Sequence, residues 1–142
     1  SGCFGNMMLT FFQGRGGLGV VINGCIRDFP IVQHDLDLGL WLRGVTPNFH
    51  TQTNIWPNAV NVPIACGETL VIPGDIIVAD DDGVVTVPAA LAPQLAEAGQ
   101  SHAEWEEFSR QKLLEGGHLR KYYPLSEEGR AEYEEWQKQQ GS

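Results

Sequence analysis

A continuous apolar and largely β-branched run, Leu18 to Ile22, follows a glycine-rich segment near the start of the chain. A run of this kind, without polar alternation, is typical of a strand that is buried on both faces. The preceding segment, residues 3–12, is almost wholly apolar and carries helix formers. It predicts a buried helix that begins near Gly5 or Asn6 and ends at Gly14.

The glycines between this helix and the strand, Gly14, Gly16 and Gly19, have the spacing of a dinucleotide-binding fingerprint. That fingerprint must follow a strand and open a helix. Here the predicted helix comes first and the predicted strand follows it. A helix-to-strand turn is therefore favoured over a dinucleotide site.

Arg27 and Asp28 follow the strand, after a turn signal at Asn23-Gly24. Arg offers a planar, charged donor fork that suits a carboxylate, and Asp offers a hard oxygen for a divalent cation. A surface ion pair or an ordinary turn is the alternative interpretation. The chain has only three basic residues before position 90, and a turn after a buried strand holds side chains in place, so a specific role is favoured.

The start of the predicted first helix is a second component of this candidate site. Unpaired backbone N–H groups and a partial positive charge make a helix start an anion site. If the helix packs beside the strand, its first turn and Arg27 would share one anionic ligand, with a metal on Asp28 beside it. This arrangement suits a 2-oxo acid and its enolate, because positive charge would lie where negative charge develops.

The middle of the chain predicts a short helix and several short strands joined by tight turns. The helix is predicted at residues 31–38, the strands at 40–42, 59–62, 69–72, 75–79 and 84–87, and a loop at 48–57. The run Asp80-Asp81-Asp82-Gly83 invites a calcium-loop interpretation, which needs a Glu at position 12. Leu91 stands at that position, so a solvated turn is predicted.

From Pro88 onward the composition predicts helices, at residues 89–98, 101–114 and 126–139. Ser101 and Glu104 have the spacing of a capping box, which would open the second of these helices. The predicted fold class is therefore α/β with C-terminal helices. The predicted domains are a core at residues 1–100 and a helical extension at residues 101–142.

Charge and cysteine content limit the partners that are expected. The net charge is −9 and no basic stripe is present, so no nucleic-acid partner is predicted. The sequence shows no signal peptide, and no apolar run approaches the roughly 20 residues of a membrane span. The three cysteines lack paired or zinc-site spacing, which predicts reduced thiols and a cytoplasmic location.

The run RGGLGVVINGCIRD, residues 15–28, resembles the RraA-like family, whose members include class II 4-hydroxy-4-methyl-2-oxoglutarate aldolases and the regulator of ribonuclease activity A. The resemblance continues through LGLWLRGVTP, NVPIACGETLVIPGDIIVADDDGVVTVP and YYPLSEEGRAEYEEW. It implies a three-layer β/β/α swivelling-domain fold and a homotrimer or hexamer with the active site between subunits. It also implies that the N-terminal part of a usual member is absent, so a separate N-terminal chain is a candidate partner.

The resemblance also implies roles for individual residues. Arg27 would contact a small 2-oxo acid substrate and its enolate, and Asp28 would coordinate Mg²⁺ or Mn²⁺, partly through water. Backbone amides at the helix start would hold the substrate carboxylate, which maps to Asn6, Met7 and Met8. Glu106 or Glu107 of a neighbouring subunit would complete the site.

Asn6 departs from the family pattern, which usually has an acidic residue 21 positions before the arginine. An amide in this place adds no charge, so metal affinity or a catalytic proton transfer would be weaker. Asn6 is accordingly included among the candidate catalytic residues, together with Arg27.

The function predicted from these residues is that of a divalent-metal-dependent carbon–carbon lyase acting on a 2-oxo acid. It would release pyruvate, by aldol cleavage of a 4-hydroxy-2-oxo acid or by oxaloacetate decarboxylation. Two alternatives stay open: a non-catalytic RraA-like protein that regulates a ribonuclease, and a degenerate homologue that serves as a structural subunit.

Overall fold

The computed structural model of the protein describes residues 2–49 and 56–140. The chain divides into two compact units, residues 1–89 and 90–142. The elements of the first unit are β1 (Gly2–Phe4), α1 (Asn6–Gly14), β2 (Gly19–Ile26), α2 (Phe29–Asp35), β3 (Gly39–Val45), β4 (Ile64–Cys66), β5 (Thr69–Val71), β6 (Ile76–Ala79) and β7 (Val84–Val87). The second unit contains a short 3-10 turn (Ala89–Leu91 at the junction), α3 (Ala92–Leu114), α4 (Leu119–Tyr122) and α5 (Glu127–Gln140).

Three parallel strands, in the order β1–β2–β3, form the sheet of the first unit. Parallel neighbours need a crossover connection, and α1 and α2 provide the two crossovers. Leu9 of α1, Ile26 of β2 and Val32 of α2 are fully buried together and form the centre of the core. The predicted first helix is confirmed, since α1 begins at Asn6 and ends at Gly14.

The predicted turn at Asn23-Gly24 is wrong, because β2 continues through both residues. Ile22 pairs with Leu42 and Cys25 pairs with Gly44, so β2 carries one more residue than β3 over the same length. The extra residue makes a β-bulge, which bends the strand and increases its twist. The bulge therefore lies between Ile22 and Cys25, three to four residues before Arg27.

The first unit exposes more apolar surface than its sequence predicts. Along β2 only Ile26 is buried, and Val21 is exposed to 38%, so the expected burial of this strand on both faces is wrong for this chain. Helix α1 was likewise expected to be buried, but Leu9 is its single buried residue and Met7 is 74% exposed. The reason is that α1 and α2 pack on one face of the sheet, with a single shared core.

Two antiparallel hairpins, β4–β5 and β6–β7, complete the first unit. They confirm the strands predicted at 69–72, 75–79 and 84–87. The strand predicted at 59–62 is wrong: bends occupy this stretch, Asn61 has a positive φ of 54°, and the strand begins only at Ile64. Most of the loop predicted at 48–57 lies outside the described residues.

The aspartate run is a turn, as predicted. The Asp80 carboxylate accepts hydrogen bonds from the backbone N–H groups of Asp82 at 2.9 Å and Gly83 at 3.3 Å. Asp80 also exchanges backbone hydrogen bonds with Gly83, which closes the β6–β7 hairpin. Both of these side-chain hydrogen bonds use Asp80 Oδ1, so this oxygen stabilises the turn.

The second unit begins at Ala90, and residue 100, where the sequence placed a domain boundary, lies inside α3. The capping box predicted at Ser101 and Glu104 is wrong, because one continuous helix spans both residues. Gly99 lies next to this stretch inside the helix, and a single glycine costs about 1 kcal/mol, which a 23-residue helix tolerates.

An aromatic cluster holds the helices of the second unit together. Phe108 of α3 is 1% exposed, and its ring centroid lies 5.4–6.0 Å from the rings of Tyr122, Tyr133 and Trp136. The predicted start of the last helix is confirmed, since Ser126 Oγ accepts a hydrogen bond from the N–H of Gly129 at 3.1 Å. Within residues 2–49 and 56–140, no helix combines the length and apolar character that a membrane span requires.

The Glu132 carboxylate links α4 to α5 and predicts an acid-sensitive contact. It lies 2.7 Å from Lys121 Nζ and accepts a hydrogen bond from the Tyr122 hydroxyl at 2.8 Å. The hydrogen bonds from Lys121 and then Tyr122 lower the pKa of Glu132 below its ordinary value of 4.5. Glu132 therefore takes up a proton less readily in the folded chain than in the unfolded chain. The stability contributed by its hydrogen bonds is complete above the ordinary pKa of Glu132 and is lost as the pH falls through the lowered pKa of the folded state.

We accordingly expect Glu132→Gln to reduce the loss of stability in acid, measured by urea unfolding between about pH 3 and pH 7 with near-UV circular dichroism. Glu134→Gln, an exposed change on the same helix, is the matched control and should leave the acid dependence of the parent chain intact. An equal acid dependence in the two variants would show that the contact contributes nothing.

Candidate functional site

Arg27 and Asp28 lie directly beyond the end of β2, next to the fully buried Ile26. The backbone N–H of Arg27 donates a hydrogen bond to the carbonyl oxygen of Phe4 at 2.8 Å, which ties this position to the end of β1. Ligands of open parallel sheets bind beyond the carboxyl ends of the strands. The predicted pair therefore lies at the edge of the sheet where a ligand site is expected.

Asp28 holds an unusual backbone conformation, with φ 57° and ψ 29°. This left-handed conformation is rare for a residue other than glycine, although Asp tolerates it better than most. The carbonyl oxygen of Asp28 accepts hydrogen bonds from the N–H groups of Ile31 and Val32 and so begins α2. Its side chain makes no capping bond to that helix.

The Asp28 carboxylate instead contacts the start of α1. Asp28 Oδ2 accepts a hydrogen bond from the backbone N–H of Asn6 at 3.2 Å, across 22 residues of sequence. The carboxylate thus satisfies one of the N–H groups that a helix start leaves unpaired, and its negative charge faces the positive end of the helix. Asp28 Oδ1 receives no hydrogen bond from the residues that the structure describes.

Gly5 lies where the start of α1, the Arg27 guanidinium and the Asp28 carboxylate converge. It is the buried N-cap residue of α1. A Cβ atom built on it would lie 2.8 Å from Asp28 Oδ2 and 2.9 Å from Arg27 Nη2. Any side chain here would therefore collide with both groups, and glycine allows the helix start, the guanidinium and the carboxylate to converge.

The first turn of α1 has three backbone N–H groups, of Asn6, Met7 and Met8, that make no backbone hydrogen bond within the helix. Asn6 N–H is bonded to Asp28, and Met7 N–H donates to Asn6 Oδ1 at 2.8 Å. Leu9 N–H makes the first bond within the helix, to the carbonyl oxygen of Gly5. Met8 N–H has no acceptor among the described residues, so it is available to an anion.

The half-buried Arg27 side chain is held on two sides. Its Cζ lies 4.7 Å from the centroid of the Phe49 ring, which is a cation–π contact. Its Nη1 atom donates to the carbonyl oxygen of Gly2 at 3.4 Å. Its remaining donors, Nε and Nη2, are the ones nearest to Gly5.

The sequence predicted Asn6, Arg27 and Asp28 as site residues, and the structure brings these three together. It did not predict Gly5 or Phe49 as part of the site. A glycine directly before a predicted helix is a usable signal for Gly5. Phe49 carries no such signal, because it lies in a predicted loop and its role depends on a contact with β1. The side chains of Met7 and Met8 are exposed, so these residues contribute to the site through their backbone alone.

Glu106 and Glu107 lie on α3 in the second unit, where each has partners of its own. Glu106 accepts a hydrogen bond from the Tyr123 hydroxyl at 3.3 Å and lies 3.2 Å from His102 Nε2. Glu107 pairs with Arg110. Their role in the site of a neighbouring subunit stays a prediction.

The donor set at Asp28 fits a hard divalent cation. The part of the chain that the structure describes contains no group of three His, Cys, Asp or Glu side chains that would enclose a metal. Mg²⁺ needs no such cage, because it keeps several waters and binds through one or two carboxylates and the substrate. The exposed Asp28, with its Oδ1 unpaired among the described residues, meets this requirement.

A cavity of about 740 Å³ lies elsewhere in the first unit and carries no comparable chemistry. Its lining is mostly apolar and includes Leu18, Val21, Trp41, Ile64, Ile77 and Val85. None of its described lining residues is an Asp, Glu, His, Lys or Arg. Size alone therefore does not identify the functional site, and the charged groups around Gly5 remain the candidate.

Comparison with solved structures supports the α/β fold. A Streptomyces coelicolor protein described as RraAS2, an unusual member of the RNase ES inhibitor RraA protein family, is 43% identical, with a TM-score of 0.76 over 79% of this chain and 56% of that one. An uncharacterized protein from Pseudomonas syringae pv. tomato is 26% identical, with a TM-score of 0.77 over 85% of this chain and 60% of that one. The predicted α/β class with C-terminal helices is confirmed.

Proteins similar in sequence include an uncharacterized protein and proteins named as putative aldolases. An uncharacterized protein of Methanocaldococcus jannaschii is 34% identical over 106 residues, 75% of this chain and 50% of that protein. A protein of Halalkalibacterium halodurans named putative 4-hydroxy-4-methyl-2-oxoglutarate aldolase is 37% identical over 84 residues, 59% of this chain and 39% of that protein. The chain thus spans about half the length, or less, of the curated relatives it matches.

The family model described as RraA-like, Aldolase/RraA, matches residues 1–86, which include the whole site around Gly5. This match covers more than half of the chain and agrees with the predicted resemblance. The protein therefore belongs to the RraA-like family.

Proposed function

We propose that this chain forms the 2-oxo acid site of a divalent-metal-dependent carbon–carbon lyase that releases pyruvate. The observation that carries the proposal is the convergence of Arg27, Asp28 and the start of α1 around Gly5. Relatives named as putative aldolases support the reaction class. Because the chain spans only part of their length, the activity of the whole protein belongs to the proposal.

The backbone and Arg27 would bind and orient the substrate. Its carboxylate would take the N–H groups of Asn6 and Met8, displacing Asp28 Oδ2 from Asn6. Arg27 would donate through Nε and Nη2 to the oxygens that gain negative charge as the enolate forms, which is where a fixed cation stabilises a transition state most. Mg²⁺ or Mn²⁺, when bound, would neutralise charge on the same oxygens. Asp28 would hold that ion, because its Oδ1 atom accepts no hydrogen bond from the described residues.

Asn6 favours decarboxylation over aldol cleavage. In aldol cleavage a base must take the proton of the 4-hydroxyl group as the C3–C4 bond breaks. The Asn6 amide is not basic, and its oxygen already accepts a hydrogen bond from Met7 N–H. In oxaloacetate decarboxylation the C3–C4 bond breaks with loss of CO₂, and the electron pair enters the pyruvate enolate, which takes a proton from water. This reaction needs no base at position 6.

The test is pyruvate release by the full chain, measured with Mg²⁺ on oxaloacetate and on 4-hydroxy-4-methyl-2-oxoglutarate. We expect turnover of oxaloacetate, with aldol cleavage slower by about tenfold or more. Asn6→Asp should raise the ratio of aldol cleavage to decarboxylation, because it places a carboxylate at the same helix start. Absence of pyruvate from both substrates would overturn the proposal and favour a non-catalytic role.

A further inference from the structure

We propose that Phe49 is a positioning residue for Arg27, and that it holds the guanidinium side-on to a planar 2-oxo acid, with the Nε–Nη2 edge facing one carboxylate oxygen and the 2-oxo oxygen. The identity of the bound group rests on the proposed function, whereas the positioning rests on contacts within the chain. The ring of Phe49 covers one face of the guanidinium, with 4.7 Å between Cζ and the ring centroid. Arg binds aromatic faces well because its charge is planar and weakly hydrated.

The backbone of Phe49 is itself fixed against β1. Gly2 pairs with Phe49 in a parallel bridge, and Gly2 N–H donates to the carbonyl oxygen of Asn48 at 3.1 Å. A Cβ atom on Gly2 would lie 2.5 Å from Arg27 Cγ and 2.7 Å from Asn48 O. Only glycine therefore allows the Arg27 side chain and the 48–49 segment to approach β1 together.

These contacts leave one edge of the guanidinium for a ligand. The Phe49 ring covers a face, and Nη1 is bonded to the carbonyl oxygen of Gly2 at 3.4 Å. Nε and Nη2 lie 3.5 Å and 2.9 Å from the point where a Cβ on Gly5 would be. This edge, with two parallel N–H groups, matches the adjacent carboxylate and 2-oxo oxygens of a planar 2-oxo acid. It faces the start of α1, where the substrate carboxylate and the developing enolate would lie.

Phe49 is well suited to substitution, because its ring is 46% exposed. Shortening it leaves no enclosed cavity, so the fold should survive. Phe49→Leu removes the aromatic face and keeps an apolar side chain. Phe49→Tyr keeps the aromatic face and serves as the matched control.

Binding of pyruvate in the presence of Mg²⁺, measured by calorimetry on the full chain, tests the effect on the ligand. We expect Phe49→Leu to weaken pyruvate binding by about three- to tenfold and Phe49→Tyr to stay within about twofold of the parent. Mg²⁺ affinity without pyruvate and the melting temperature should be unchanged in both variants, which a general structural effect would not produce.

The NMR signal of the Arg27 Nε–H group tests the positioning without any substrate. We expect a single signal protected from water exchange in the parent and in Phe49→Tyr, and faster exchange in Phe49→Leu. An Nε–H signal unchanged in Phe49→Leu would overturn the inference, whether or not the chain proves to be a lyase. Unchanged pyruvate affinity in Phe49→Leu would overturn it as well, and would leave the proposed function standing. Failure of the parent chain to bind pyruvate would instead count against the proposed function.

Discussion

Arg27→Ala is expected to lower kcat/KM for pyruvate release by about 10²- to 10³-fold, the size of effect seen when one donor to a developing oxyanion is removed. Arg27 is the guanidinium that reaches the start of α1, with Nη2 and Nε directed toward Gly5. Its loss removes charge and both donors from the place where the enolate would form. Steady-state kinetics with oxaloacetate and Mg²⁺ measure the effect.

Arg27→Lys tests whether a positive charge at position 27 is enough or whether the planar guanidinium is needed. Lysine keeps the positive charge but has neither the two-donor edge nor the planar face that stacks on Phe49. We expect kcat/KM of Arg27→Lys to exceed that of Arg27→Ala by less than about tenfold, since a bidentate contact cannot be replaced by a point charge. Full recovery with lysine would show that charge alone is needed and would contradict side-on binding.

Arg43→Ala is the matched control for both variants. Arg43 lies on the neighbouring strand β3, is exposed, and donates through Nε to Asn23 Oδ1 at 2.9 Å. Its removal takes away an arginine and one hydrogen bond from the same unit without touching the site. Activity should remain within about twofold of the parent. An equal loss in Arg43→Ala and Arg27→Ala would point to a general effect on folding or net charge.

The parts of the site that the sequence predicts are those with short-range signals. The helix α1 is marked by an apolar run between Gly5 and Gly14, and β2 by its β-branched residues, so Asn6 and Arg27 could be placed at the ends of elements. Whether those ends meet depends on parallel pairing through a crossover helix. Local patterns favour such pairing but do not fix its register.

The features that the sequence missed depend on contacts between distant residues. Strand β1 has only three residues and reads as part of the apolar run that becomes α1. Asn23-Gly24 has the composition of a tight turn, yet pairing of β2 with β3 on both sides of it makes it a bulge. The contact of Phe49 with Arg27 and the hydrogen bond from Asn6 N–H to Asp28 likewise join residues 22 positions apart in the chain.

Asp28→Asn is expected to reduce Mg²⁺ affinity by about tenfold or more and to lower kcat/KM by a similar factor or a larger one. Asn tolerates the left-handed backbone of Asp28, and its amide oxygen can still accept the hydrogen bond from Asn6 N–H. The variant therefore removes the negative charge and preserves the contacts that hold the fold. Mg²⁺ titration by calorimetry and kinetics at increasing Mg²⁺ measure the two effects.

Two further variants decide whether the loss comes from the metal. Asp28→Ala also removes the hydrogen bond to the start of α1 and places alanine in the left-handed region, so it should lower the free energy of unfolding by about 1–2 kcal/mol, unlike Asp28→Asn. Asp75→Asn is the control, because Asp75 holds a turn by accepting from Ile72 N–H at 2.8 Å, away from the site. It should leave Mg²⁺ affinity unchanged. If Asp28→Asn binds Mg²⁺ as the parent does, the carboxylate serves only to cap α1, and the metal-dependent part of the proposed reaction is wrong.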